Sequence, residues 1–162
     1  MNGARGHFAF ALTNRFIARY GAGQLSHLLF NLGYRNYVGL DFSENAITRA
    51  IYVSNKYNTN HIFAVKDLYK MDRIEGVCQY DLIIMCEVLE HLDRDLFVLE
   101  KIREKTPIIF TVPTFDAENH VRHFTSFSSI ENRYKRNVDI ELMERVGNVY
   151  LVKGKVFKTQ SE

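Results

Sequence analysis

The sequence is short of cysteine, of long apolar runs and of net charge, and each shortage closes off a class of protein. Cys78 and Cys86 are its two cysteines in 162 residues, too few for a disulfide framework. Cys86 stands inside an apolar run, so the expected setting is reducing and cytoplasmic. No apolar stretch nears the roughly 18 residues that a membrane-spanning helix needs. His7 to Leu12 has the look of a short signal sequence, but Arg15 interrupts it and the apolar part is too brief. A net charge of +2 does not by itself indicate a nucleic-acid or membrane surface, so neither DNA nor a membrane is expected as a partner. Arg133, Lys135 and Arg136 cluster mildly, as do Lys153, Lys155 and Lys158. No aromatic-and-basic RNA-binding motif accompanies them, and they read as a solvated face. Internal repeats and low-complexity linkers are missing too. The chain therefore reads as one domain, 14–162, preceded by an N-terminal arm, 1–13, in which glycine and alanine set no firm period.

Hydrophobic residues make up 46% of the chain, enough for one real core. Strand-like and helix-like segments alternate along it. Asn14 to Tyr20 reads as a first strand and Gln24 to Leu32 as a helix carrying Leu25, Leu28, Leu29 and Leu32 on one face, ended by Gly33. Asn36–Asp41 is a strand. Ser43 caps a helix to about Tyr57, with Ala46, Ile47, Ala50, Ile51 and Val53 as its apolar positions. His61 to Lys66 is another strand, and Tyr80 to Met85 a short run suited to burial on both faces of a parallel sheet. A helix from about Arg94 to Lys105 and a strand from Pro107 to Val112 follow, then a helix from Thr125 to Tyr134. Two strands about Gly147-Asn148 close the chain as a β-hairpin. This order predicts an α/β fold: a doubly wound, mostly parallel, seven-stranded sheet with a C-terminal antiparallel hairpin edge.

The polar residues gather at the predicted strand ends. Asp41 and Asp67 each close a strand, and Glu87, Glu90 and His91 follow the buried run at Met85. In open α/β sheets ligands bind along that edge. Gly21 and Gly23 let a ligand approach the backbone before a helix start. Asp41, 20 residues beyond Gly21, is spaced to accept from two vicinal ribose hydroxyls. Together these positions ask for a nucleoside-bearing cofactor. Glu87, Glu90 and His91, spaced i, i+3, i+4, would share one face of a helix. There they suit either a divalent-metal half-site or a general-base cluster. His120 and His123, beyond the strand at Pro107, can approach the same edge. Cys86 reads as core.

Gly21-Ala22-Gly23-Gln24, Tyr37 to Ser43, Val65 to Leu68, Tyr80 to Leu92 and Thr111-Val112-Pro113 resemble, in order and spacing, the class I S-adenosylmethionine-dependent methyltransferases. Glu87-Val-Leu-Glu-His-Leu92 is the most specific piece. The resemblance implies a Rossmann-like methyltransferase fold and S-adenosylmethionine as cofactor. It implies that Gly21, Ala22 and Gly23 pass its methionine part and that Asp41 holds the ribose. Phe42 would border the adenine, Asp67 and Leu68 would meet the adenine amine and ring, and Glu87 would lie near the methionine end. Small-RNA 2′-O-methyltransferases and quinone-precursor O-methyltransferases hold a divalent metal with a similar Glu-x-x-Glu-His, which implies Glu87, Glu90 and His91 as metal ligands, joined by His123. The reaction implied is methyl transfer to a small-molecule or RNA-end acceptor, O-methylation favoured, with Glu87, His91 and His123 as catalytic residues. Two further functions fit parts of the pattern. Arg19 stands where the family has its first glycine, which suits a catalytically inactive methyltransferase-like binding module. Gly21-x-Gly23 with Asp41 also suits an NAD-dependent oxidoreductase.

Overall fold

The computed structural model describes residues 8–11, 15–16, 24–72 and 80–158. Arg19, Gly21, Ala22, Gly23 and Cys78 lie outside them. The strands are β1 (Phe8–Ala11), β2 (Arg15–Phe16), β3 (Asn36–Asp41), β4 (Ile62–Val65), β5 (Ile83–Met85), β6 (Pro107–Pro113), β7 (Val138–Val146) and β8 (Val149–Val156). The helices are α1 (Gln24–Asn31), α2 (Glu44–Lys56), α3 (Asp95–Glu100) and α4 (Phe127–Tyr134), and a single 3-10 turn covers Leu89–His91.

The sheet runs β4-β3-β1-β5-β6-β8-β7, and β2 pairs with the first two residues of β3. This corrects the expectation of seven mostly parallel strands. The described sheet has eight strands, and the pairings β1/β3, β1/β5, β6/β8 and β7/β8 are antiparallel. The central slot is the physical reason. An inner strand of an α/β sheet favours an apolar sequence. Phe8-Ala-Phe-Ala11 meets that demand, whereas the segment expected there carries Arg15 and Arg19. So a strand from the stretch read as an N-terminal arm bridges β3 and β5, running antiparallel to both. Arg15 and Phe16 pair parallel to Asn36 and Tyr37.

Elsewhere local chemistry and structure agree. Ser43 caps α2, its Oγ accepting from Ala46 N at 3.3 Å, and Ala46, Ile47 and Ala50 are buried beneath it. Ser54 is the fourth buried position of that helix, in place of Ile51 and Val53, and its hydroxyl meets Thr59 Oγ1 at 2.7 Å. On α1, Leu29 enters the core while Leu28, and Leu32 just past the helix, stay exposed. Gly33 has a φ of +96°, the left-handed geometry that ends a helix most cheaply at glycine. The core lies between the sheet and its helices, with Ile83, Met85, Leu89, Ile108, Phe110, Val112, Tyr134 and Val152 fully covered. Cys86 packs against its edge.

Candidate functional site

The site forms where β3, β4 and β5 end together, because parallel pairing of β3 with β4 carries Asp41 and Val65 to the same level. Lys66 N donates to Asp41 O at 2.7 Å, tying the two strand ends. A cavity of about 300 Å³ opens there. Asp41 at the end of β3 and Phe42 just past it line the cavity, with Lys66 to Tyr69 from the segment after β4, and Val88, His91 and Leu92 from the segment after β5. Asp41 is 1% exposed, and Ser43 N donates to its Oδ1 at 2.6 Å. The backbone turn into α2 therefore fixes the carboxylate. Asp67 is fixed the same way: Tyr69 N donates to its Oδ1 at 2.9 Å, and Lys70 Nζ lies 3.5 Å from its Oδ2. Leu40, Leu68, Val88 and Leu92 supply apolar walls, and Phe42 sits half-exposed at the rim. Two oriented carboxylates, apolar walls and an accessible aromatic ring fit a nucleoside.

Glu87 departs from the sequence expectation. It is not on a helical face with Glu90 and His91, because its φ is +56° and the 3-10 turn begins at Leu89. A left-handed non-glycine residue costs about 1–2 kcal/mol. Its N–H donates to Thr111 Oγ1 at 3.0 Å on the neighbouring β6, which offsets part of that cost. The left-handed residue turns the chain abruptly off the sheet edge. Glu87 itself is not among the side chains lining the cavity.

Glu90 and His91 do come together, and the third member is His120. One ligand-capable atom from each of Glu90, His91 and His120 lies within 4.8 Å of the others. The cluster in the structure thus includes His120 and leaves out Glu87, unlike the grouping expected from sequence. His123 instead faces Asp116, Nδ1 to Oδ1 at 3.9 Å, on a more open part of the loop. Glu90 is fully buried, with its Oε1 3.9 Å from His91 Nε2. His91 Nδ1 is 2.7 Å from Asn119 O. A carbonyl oxygen only accepts, so Nδ1 carries the proton, and in neutral His91 Nε2 is the basic nitrogen, on the Glu90 side of the ring. The imidazole is thereby set up either to accept a proton or to ligate a cation.

Arg122, Lys66, Tyr69, Val88 and Leu92 also build the site, and sequence reasoning passed over them. The apolar residues have nothing to distinguish them from core. Arg122 carries a signal, a lone cation among two histidines in a polar loop, but no spacing rule reads it. A wider depression of about 500 Å³ lies around Asp72, Phe97 and Arg103, away from the strand ends. Its Lys101 is committed to the carbonyls of Leu68, Tyr69 and Met71.

A family profile described as a methyltransferase domain matches residues 20–106. No curated protein sequence matches the chain. Among solved structures, PH0226 from Pyrococcus horikoshii OT3 is similar, with 20% identity over 88% of this chain and 81% of that one and a TM-score of 0.66. The N-methyltransferase NodS from Bradyrhizobium japonicum WM9, solved with S-adenosyl-L-homocysteine, is 16% identical over 90% and 79%, with a TM-score of 0.65. The 16S rRNA methylase RmtB is 13% identical over 89% and 56%, with a TM-score of 0.64. At these identities the likeness establishes a Rossmann-like α/β fold. Among the described residues no helix is long and apolar enough to cross a membrane.

Proposed function

Because the chain belongs to the class I S-adenosylmethionine-dependent methyltransferases, we propose that it binds S-adenosylmethionine at the strand-end cavity and methylates a small-molecule or RNA-end acceptor, an oxygen nucleophile being favoured. The observation that carries this reading is the buried, backbone-fixed carboxylate of Asp41 on the cavity wall. It suits two ribose hydroxyls. Asp67 and Leu68 suit the adenine, with Phe42 at its border. Gly21, Ala22 and Gly23 are proposed for the methionine part, with Glu87 nearby. When bound, the sulfonium supplies an already activated methyl group, so the protein's work is positioning and proton removal. His91 is proposed as the proton acceptor, because the Asn119 carbonyl orients its ring with Nε2 as the basic atom. Glu87 and His123 remain proposed as supporting groups at the acceptor side.

A second reading of the same cluster is specifically favoured by the juxtaposition of Glu90, His91 and His120: a divalent cation held there would lower the cost of deprotonating an oxygen acceptor. The test is calorimetric titration with S-adenosylmethionine and S-adenosylhomocysteine, with NADH as comparator and Mn²⁺ titrated separately into wild type and His120→Ala. Asp41→Ala is expected to weaken S-adenosylhomocysteine binding about 100-fold, since it removes charge-assisted hydrogen bonds. Cofactor binding untouched by Asp41→Ala would overturn the site assignment. Absence of binding by folded protein would favour the inactive-module reading, and preference for NADH the oxidoreductase. Mn²⁺ uptake that His120→Ala leaves unchanged would rule out the cation reading.

A further inference from the structure

We propose that Arg122 is a positioning residue that holds the segment 89–93, and with it His91, against the cofactor cavity; this rests on the cofactor reading above. The segment needs such a hold. It consists of one 3-10 turn followed by irregular chain, so the carbonyls of Leu92 and Asp93 have no continuing helix to enter. Arg122 reaches back to them from the loop after β6. Its Nη1 donates to Leu89 O and, at 2.6 Å, to Leu92 O, while its Nη2 donates to Asp93 O at 3.1 Å. The side chain is 16% exposed. A planar guanidinium holds its donors in a rigid fork spread over several ångströms, which suits carbonyls strung along a segment better than the compact point charge of an ammonium on a flexible stem.

Neighbouring loop residues grip the same segment. Val121 N donates to Glu90 O at 2.8 Å, and Asn119 O accepts from His91 Nδ1 at 2.7 Å. Residues 119–122 thus clasp both the backbone and the imidazole of the wall formed by Val88, His91 and Leu92. Arg122 also lies 3.2 Å from Asp95 Oδ2, one of several contacts that Asp95 receives. The buried carboxylate already receives Arg133 through Nη2 and Nε and the Tyr134 hydroxyl at 3.0 Å. Loss of Arg122 would strip the 89–93 carbonyls as well as one ion pair to Asp95, whereas loss of Arg133 would weaken Asp95 and leave those carbonyls held. That difference separates positioning from plain stabilisation.

The experiment compares Arg122→Gln, Arg122→Lys and Arg133→Gln by thermal melting, S-adenosylhomocysteine titration and amide hydrogen exchange at His91, Leu92 and Val121. Arg122→Gln is expected to weaken cofactor binding about tenfold or more and to speed exchange at those three amides. Arg122→Lys, which keeps the charge facing Asp95, is expected to fall between it and wild type. Arg133→Gln is expected to lower the melting temperature while keeping affinity within about twofold and exchange unchanged. Equal losses of affinity in both arginine variants, tracking melting temperature, would overturn the proposal. So would wild-type affinity and exchange in Arg122→Gln. If that variant does not fold, Arg122→Lys decides on the same readouts. If wild type binds no cofactor, the functional reading fails and the exchange rates alone decide whether Arg122 holds the segment.

Discussion

Single residues in this protein are perturbed by burial at several places, and His61 gives the clearest consequence. It directly precedes β4, is 8% exposed, and packs beside Tyr37 and Phe30 at ring distances of 5.0 and 5.9 Å. Burial, the largest influence, lowers its pKa from 6.5 to about 4, and Arg35 adds to the lowering. Between those values the unfolded chain binds the proton that the folded chain refuses. The stabilisation is therefore complete above about pH 6.5 and is lost as pH falls toward 4. At pH 5 the expected loss is roughly 2 kcal/mol, or about 4–8 °C in melting temperature for a chain of this size. His61→Phe should flatten that acid-side decline; parallel declines in variant and wild type would remove His61 as its source. At this scale the sequence disclosed the polar strand ends, Asp41 and Asp67, because alternation with apolar runs marks them. It brought His120 to the edge that carries His91, but it did not disclose the burial of His61 or the Asn119 carbonyl against His91. Those depend on α1 and the loop around residue 120 packing back against distant segments, contacts that no local period encodes.

Among the elements, the hairpin was the most legible. Gly147-Asn148 between two strand-like runs gives a two-residue turn, with Val146 paired to Val149 and a φ of +59° at Gly147. The 3-10 turn was the least legible. The spacing of Glu87, Glu90 and His91 suits a helix, but Glu87 is spent as a left-handed corner, so the helical face never includes it. α3 likewise stops at Glu100, short of the apolar period that suggested Lys105. Ile102 is buried from the following turn instead. Within β8, Gly154 carries a requirement the alternation does not show. It faces Ile108 on one side and Ile140 on the other, where β7 shifts register between Ile140 and Leu142. A Cβ there would stand 2.3 Å from Asp139 O and 2.9 Å from Val138 Cγ1, and a strand backbone cannot easily give way. Gly154→Ala is expected to cost about 2–3 kcal/mol and lower the melting temperature by about 5–10 °C. A melt within 2 °C or so of wild type would show that the bulge absorbs the methyl group.

For the molecule as a whole, the sheet is joined through its least conventional strand. Among the described residues, β1 is the strand that pairs with both β3 and β5, linking the β3/β4 side to β5, β6, β8 and β7. Deletion of residues 1–13 is therefore expected to abolish the single cooperative thermal transition, leaving a broadened or two-step melt by circular dichroism. A sharp melt at the wild-type temperature would show that another segment can fill the slot. The α/β class and most element positions were readable because burial on both faces demands apolar runs. β1 was not, since residues 1–13 set no firm period and read as an arm.

The place of β8 has a consequence for the making of the chain. It lies between β6 and β7, although both precede it in sequence. During synthesis, β6 must wait with one edge uncovered until Val149 onward emerges. At about 5–20 residues per second that wait lasts roughly 2–7 s. For those seconds Pro107–Pro113 offers a bare apolar edge to any neighbouring nascent chain. Slowing translation between Pro113 and Val149 should therefore lower the soluble yield, and speeding it should raise it.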